Sequence, residues 1–261
     1  MTPVQHEVLS KDGLPVYADV SLPDNKVASP LIVVLRGAAG GALDENGEYA
    51  HIEEHKALST TGAAICTVSH RGTPGRGRDF ADMHDLGGPH IDDVIAIVNA
   101  ISAMDQIDAD NIILLGTSRG AFMAALCAGQ HDIFSAAILI NGYYDLRAWF
   151  EFQENNFGNE SPLAQIIRPS WQALWDDFPI DERSPDRYSK NINCPVLLIH
   201  GEDDKHVPPK QSKDFHEYLN SIGKKSELAL IPAMAHSYPE DDDPAWKEVW
   251  GKINAYLKNI T

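Results

Sequence analysis

The chain has 261 residues, 43% of them hydrophobic, with 21 lysines and arginines against 38 aspartates and glutamates, a net charge of −17. Such a length and apolar share suit one α/β domain with a modest insertion, two domains being a soft prior. The charge repels nucleic acid and anionic membranes, no apolar run is long enough to span a bilayer, and the opening Met1-Thr-Pro-Val-Gln-His-Glu lacks the basic start and apolar core of a signal peptide.

Val4–Leu9 and Pro15–Leu22 alternate in polarity on either side of Lys11-Asp12-Gly13, which predicts an antiparallel hairpin. Strand and helix patterns then alternate: strand 31–35, helix about 48–61, strand 63–69, helix about 88–104, strand 111–115, helix 118–130 and strand 134–140. That rhythm predicts a mostly parallel, doubly wound sheet. On the first helix, His51-Ile-Glu-Glu-His55 matches the H-x-x-E-H pattern, with two histidines one turn apart and Glu48 and Glu53 nearby. A polar helix face supplies such residues routinely, so neither a metal nor any cofactor is expected. Arg71, Arg76 and Arg78 form the one basic cluster; structural ion pairs with the acidic excess are the first reading, a substrate-anion site the second.

The most informative stretch runs from Asn111 to Ala125. Apolar residues lead into Gly116-Thr117-Ser118-Arg119-Gly120, and a small-residue helix follows. This is G-x-S-x-G in the strand–turn–helix context that makes it a nucleophile elbow. The turn strains the serine backbone and presents its hydroxyl above the sheet. Gly116 and Gly120 are needed because a Cβ there would strike the neighbouring strand or helix.

Between residues 143 and 190 the alternation stops. Tyr143, Tyr144, Trp149, Phe150, Phe152, Phe157, Trp171, Trp175 and Phe178 crowd into a stretch with helical pieces and no clear strand. The expected division is therefore a core of 1–142 and 191–261 with a cap of 143–190. Many of these aromatics must be core, but a cap over the serine needs an apolar underside, and Tyr143, Tyr144 and Trp149 are its candidate substrate-binding residues. Strand 196–199 then ends in a turn carrying Asp203 and Asp204. The strand beginning at Glu227 delivers His236 in the loop beyond it. The last helix, about 244–258, aligns Trp246, Val249, Trp250, Ile253, Tyr256 and Leu257 on one face behind Asp241, Asp242, Asp243 and Pro244.

A serine hydroxyl is a weak nucleophile until an oriented base takes its proton. Hydrolases with this elbow supply serine, acid and histidine in that order, each just past the C-terminal end of a strand. Ser118 and His236 fit; the residues alone leave Asp203 and Asp204 both open as the acid, since aspartate also serves turns.

His200-Gly-Glu-Asp-Asp-Lys-His-Val-Pro resembles the H-G-x-x-D-x-x-V-P signature of the prolyl oligopeptidase-like branch of the α/β-hydrolases. Arg71-Gly-Thr-Pro-Gly-Arg-Gly-Arg-Asp-Phe, Ile91–Val98 and Ser184-Pro-Asp-Arg-Tyr resemble further pieces of the same branch. The resemblance covers roughly residues 14–142 and 184–238 and implies an α/β-hydrolase fold with Asp204 as the acid. It also implies an oxyanion hole built from the Arg119 amide and, in the loop after strand 31–35, the amide of Ala38. Each such donor is worth about 3 kcal/mol in the transition state. The Arg119 side chain has two readings, an ion pair away from the pocket or a fork for a substrate carboxylate.

The sequence departs from the family at three places. The elbow reads Ser118-Arg119-Gly120-Ala121 where family peptidases have Tyr and two glycines. Arg36-Gly37-Ala38-Ala39 stands where H-G-G-P is common, and Ala235-His236 where Gly-His is common. Family peptidases also carry a propeller that sorts substrates by size, which 261 residues do not hold. The expectation is thus a serine hydrolase of small carboxylic esters. A peptidase or amidase on short peptides is the nearest alternative, and a non-catalytic binding protein on the same fold the third. Cys66, Cys127 and Cys194, odd in number and widely spaced, read as buried apolar groups, which points to a reducing cytoplasm. A homo-oligomer is left open.

Overall fold

The computed structural model describes residues 3–24, 27–37, 41–44, 46–48, 52–83, 86–158, 179–237 and 243–260. Eight strands form one sheet: β1 (Val4–Leu9), β2 (Pro15–Ser21), β3 (Ser29–Leu35), β4 (Ala64–Ser69), β5 (Ile107–Thr117), β6 (Ala136–Ile140), β7 (Val196–Gly201) and β8 (Ser226–Ile231). Their spatial order is β1-β2-β4-β3-β5-β6-β7-β8. β1 and β2 pair antiparallel, β2 pairs antiparallel with β4, and β3 through β8 run parallel. This is the expected α/β-hydrolase architecture, including the N-terminal hairpin.

The helices are α1 (Ile52–Ser59), α2 (Arg78–Ala81), α3 (Pro89–Ser102), α4 (Arg119–Gln130), α5 (Leu146–Phe157), α6 (Ile180–Arg183), α7 (Lys210–Ser221) and α8 (Pro244–Ile260), with a 3₁₀ helix at Pro185–Asn191. The central strands are apolar on both faces because helices cover both. Along β3, Leu31, Val33 and Leu35 join a core with α3 and α4 (Val94, Ile97, Ala121, Phe122). Ile32 and Val34 join the opposite core with Leu58 of α1 and Trp246, Val249 and Ile253 of α8. Each such side chain, fully buried, stabilises the fold by about 1.5–3 kcal/mol before entropy is subtracted.

One topological fact places the site. From β3 the chain crosses to β4 on one side, and from β5 it crosses to β6 on the other. α1 and α4 consequently lie on opposite faces, and the loops leaving β3 and β5 diverge from adjacent strand ends. Open α/β sheets bind ligands in that crevice.

Candidate active site

Ser118 sits in the turn between β5 and α4 with φ 56° and ψ −120°, a backbone region that side chains rarely occupy. Close packing enforces it. A Cβ on Gly116 would lie 2.3 Å from Gly120 O, and one on Gly120 would lie 1.8 Å from Leu35 O. Ser118 N donates to Ile140 O at 2.7 Å, tying the elbow to the end of β6. Asn141, the residue after β6, also has positive φ, 49°. It bridges onward, its N donating to Ile199 O at 2.9 Å and its Oδ1 accepting from Gly201 N at 2.9 Å.

The acid stands in the turn after β7. Asp204 Oδ1 accepts from the backbone amides of His206 and Val207, both at 2.9 Å, a local bonding pattern typical of aspartate in turns. The histidine arrives by the loop after β8. Asp203 N donates to Met234 O at 3.0 Å, and a Cβ on Gly201 would stand 2.2 Å from the same oxygen, so only glycine lets the two loops meet. Ser237 Oγ accepts from Trp246 Nε1 at 3.1 Å, anchoring the loop to α8.

The three side chains converge. His236 Nε2 lies 2.9 Å from Ser118 Oγ and His236 Nδ1 lies 2.6 Å from Asp204 Oδ2. A carboxylate only accepts, so Nδ1 carries the proton and Nε2 accepts from the Ser118 hydroxyl. Ser118 and Asp204 are buried, while the His236 side chain keeps 15% of its surface. Burial pushes the Asp204 carboxyl up, but hydrogen bonds from His200 and His236 outweigh it and hold the group well below its usual range. Asp204 therefore stays charged. Of Asp203 and Asp204, the structure brings Asp204 to the histidine, whereas Asp203 is exposed.

Arg119 opens α4, where helical amides lack an intrahelical acceptor. Its side chain is buried, with Nη2 3.5 Å from Nδ1 of the fully buried His90. Burial, then the Arg119 charge, drives the His90 pKa well down, so that ring is neutral. Ala38 lies outside the described residues. The loop that carries it is held at both ends: Arg36, buried and 2.6 Å from Glu54, donates from Nη1 to Gly41 O at 2.7 Å.

Tyr143, Tyr144 and Trp149 are all buried. Tyr143 stacks between Phe122 of α4 and Trp149 of α5, at ring separations of 5.0 Å and 3.7 Å, and Tyr144 stacks on Phe215 of α7. Tyr144 also lines a cavity of about 870 Å³ with Phe152, Gln211, Phe215 and Tyr218. Neither Tyr143, Trp149 nor the Ser118–His236–Asp204 group is among its lining residues. Trp171, Trp175 and Phe178 lie outside the described residues.

Other singled-out groups have partners elsewhere. Glu54 is taken by Arg36 and His55 Nε2 lies 2.7 Å from Ser21 Oγ; His51 lies outside the described residues. Arg71 binds Asp93 and Asp12, Arg76 lies 3.7 Å from Asp19 and over the Tyr17 ring, and Arg78 pairs with Asp82.

Sequence reasoning missed two imidazoles beside the triad, one at the acid and one at the histidine. His200 Nε2 lies 3.4 Å from Asp204 Oδ2, and the His206 ring stands 5.6 Å from that of His236, edge to face. Both fall inside the quoted H-G-x-x-D-x-x-V-P run, which was their only signal.

The sequence pattern of the prolyl oligopeptidase family matches residues 51–259. The chain belongs to that family. It is similar to the uncharacterized peptidase YuxL of Bacillus subtilis (strain 168), 27% identical over 252 residues that make up 93% of this chain and 36% of that protein. It is similar also to the acylamino-acid-releasing enzyme of Sus scrofa, 26% identical over 253 residues, 91% of this chain and 33% of that one. The solved structure of the Pyrococcus horikoshii acylaminoacyl peptidase, in its orthorhombic crystal form, shares the fold. Its TM-score is 0.85 at 24% identity, covering 100% of this chain and 42% of that chain. This chain thus spans about a third of the length of the curated relatives it matches.

Proposed function

We propose that this chain is a serine hydrolase that cleaves amide bonds of short peptides or acylated amino acids through a covalent acyl-enzyme. The observation that carries the hydrolase reading is the line of contacts from Asp204 Oδ2 through His236 to Ser118 Oγ. His236 takes the Ser118 proton as Oγ attacks the carbonyl carbon. The Asp204 carboxylate holds the ring tautomer and stabilises the imidazolium. The amides of Arg119 and Ala38 receive the oxyanion, His236 gives the proton to the leaving nitrogen, and water releases the acid by the same route. Residues 143–190 act as the cap, with Tyr143, Tyr144 and Trp149 supplying its apolar underside.

The amide preference draws on the relatives, whose names are those of peptidases or acylamino-acid-releasing enzymes. A second reading, small carboxylic esters, is favoured by Arg36-Gly37-Ala38 and Ser118-Arg119-Gly120-Ala121, where this chain leaves the peptidase pattern. An alkoxide leaves more readily than an amine, so the same machinery accepts both and the rate ratio decides between them. A panel of p-nitrophenyl esters and N-acyl aminoacyl anilides, run on wild type and Ser118→Ala, is the test. Anilide turnover lost in Ser118→Ala supports the first reading, and ester turnover alone supports the second. Turnover unchanged in Ser118→Ala, or absent with every substrate, removes both.

A further inference from the structure

His200, the penultimate residue of β7, is fully buried, and the proton transfer does not use it. Its Nε2 lies 3.0 Å from Val207 O and 3.4 Å from Asp204 Oδ2, and its Nδ1 lies 2.7 Å from Ser212 Oγ in the first turn of α7. A carbonyl oxygen only accepts, so Nε2 carries a proton, while Nδ1 is tied to the Ser212 hydroxyl. Val207 O takes that N–H most directly, and Asp204 Oδ2 stands beside it as a second, longer acceptor. That second acceptor is the oxygen that takes the His236 Nδ1 proton at 2.6 Å.

The two carboxylate oxygens are held differently. Oδ1 is fixed by two amides of its own turn, those of His206 and Val207. Oδ2 is held by two imidazoles. One of them, His236, is partly exposed and changes charge in each proposed cycle. The other is enclosed and tied to α7.

We infer that His200 is a positioning residue: it fixes the Asp204 carboxylate so that Oδ2 faces His236 Nδ1, and through it aims His236 Nε2 at Ser118. The contribution to rate rests on the serine-hydrolase reading; the contribution to the Asp204–His236 hydrogen bond does not.

The test uses His200→Leu, which fills the space without donating, His200→Gln, whose amide nitrogen reaches as far as Nε2, and His200→Asn, which is one methylene shorter. Two quantities are read: kcat and KM on the fastest substrate, and the far-downfield proton resonance of His236 Nδ1–H. We expect kcat to fall about tenfold in His200→Leu and His200→Asn with KM within about twofold, because misaimed reacting groups lose rate rather than ground-state binding. His200→Gln should return to within about threefold of wild type, since the donor is restored. The downfield resonance should move or broaden in the Leu and Asn variants and recover in Gln. If His200→Leu does not fold, the Gln and Asn pair carries the comparison. Equal kcat in Gln and Asn, or an unmoved resonance in the non-donating variants, overturns the inference. If wild type turns nothing over but the resonance still follows the donor, the positioning stands while the hydrolase reading fails.

Discussion

Gly120→Ala tests the packing that makes Ser118 reactive. The added Cβ meets Leu35 O at 1.8 Å, Leu35 C at 2.4 Å and Arg36 N at 2.9 Å, where real contacts stay above 3.0 Å. All three obstacles are main chain at the end of β3, so no side-chain rotation relieves them. Either α4 or the start of the loop after β3 must withdraw by more than an ångström. Overpacking of this kind costs about 1–3 kcal/mol, and main-chain clashes sit at the upper end. In a domain of this size about 3 kcal/mol lowers the melting temperature by about 6–12 °C. A shift of about 1 Å in the reacting groups costs about 100-fold in rate. Calorimetry and initial rates on the fastest ester of the panel read the two effects. Gly13→Ala is the control: its φ is +84° with nothing within 4 Å of the new Cβ, so it costs about 1–2 kcal/mol of backbone strain and no activity. A Gly120→Ala protein that melts and turns over like wild type would refute the close approach of α4 to β3.

Asp204→Asn should lower kcat by about 10⁴, because the amide no longer fixes the His236 tautomer; measured rates within about tenfold of wild type would exclude Asp204 as the acid. The folded Asp204 pKa lies below its ordinary value of 3.8, so its stabilising contribution is full above that value and is lost as pH falls through the folded one. The melting-temperature gap between wild type and Asp204→Asn should therefore be constant from neutral pH to about pH 5 and shrink below. A gap that widens in acid would contradict the sign. Burial pushes the Cys66 thiol up to about 12 and Cys194 up to about 11, and raises Cys127 further. An aromatic disulfide reagent at pH 8 should find none of these three thiols until the protein unfolds, and rapid labelling of the native protein would show that the core is open. Arg119→Leu should leave the preference between neutral and acidic esters unchanged, since the guanidinium lies buried beside His90; a selective loss on acidic esters would restore the substrate-carboxylate reading.

The alternating elements were legible because the central strands are apolar throughout and their connecting helices carry clear stripes. Strand 111–115 and the stripe of α8 emerged within a few residues of their observed bounds. α7 gave no such stripe. Two of its buried residues, Gln211 and Ser212, are polar and bond inward, so the periodicity shows only Phe215 and Leu219. Ser118 was legible from the G-x-S-x-G elbow and His236 from chain order and its strand end, whereas Asp204 needed the family signature, since a turn aspartate and a catalytic one look alike in sequence. The role of His200 was not legible. Its contact with Asp204 arises because the chain doubles back after Gly201, and spacing along a strand does not show which side chain meets which across a turn.

Labelling with a fluorophosphonate, followed by peptide mapping, tests the convergence of the three side chains most directly. Folded wild type should carry one adduct, on Ser118, formed far faster than in His236→Ala and absent in Ser118→Ala. No adduct on folded wild type, or an adduct elsewhere with Ser118 untouched, would contradict it and leave the fold to a binding role.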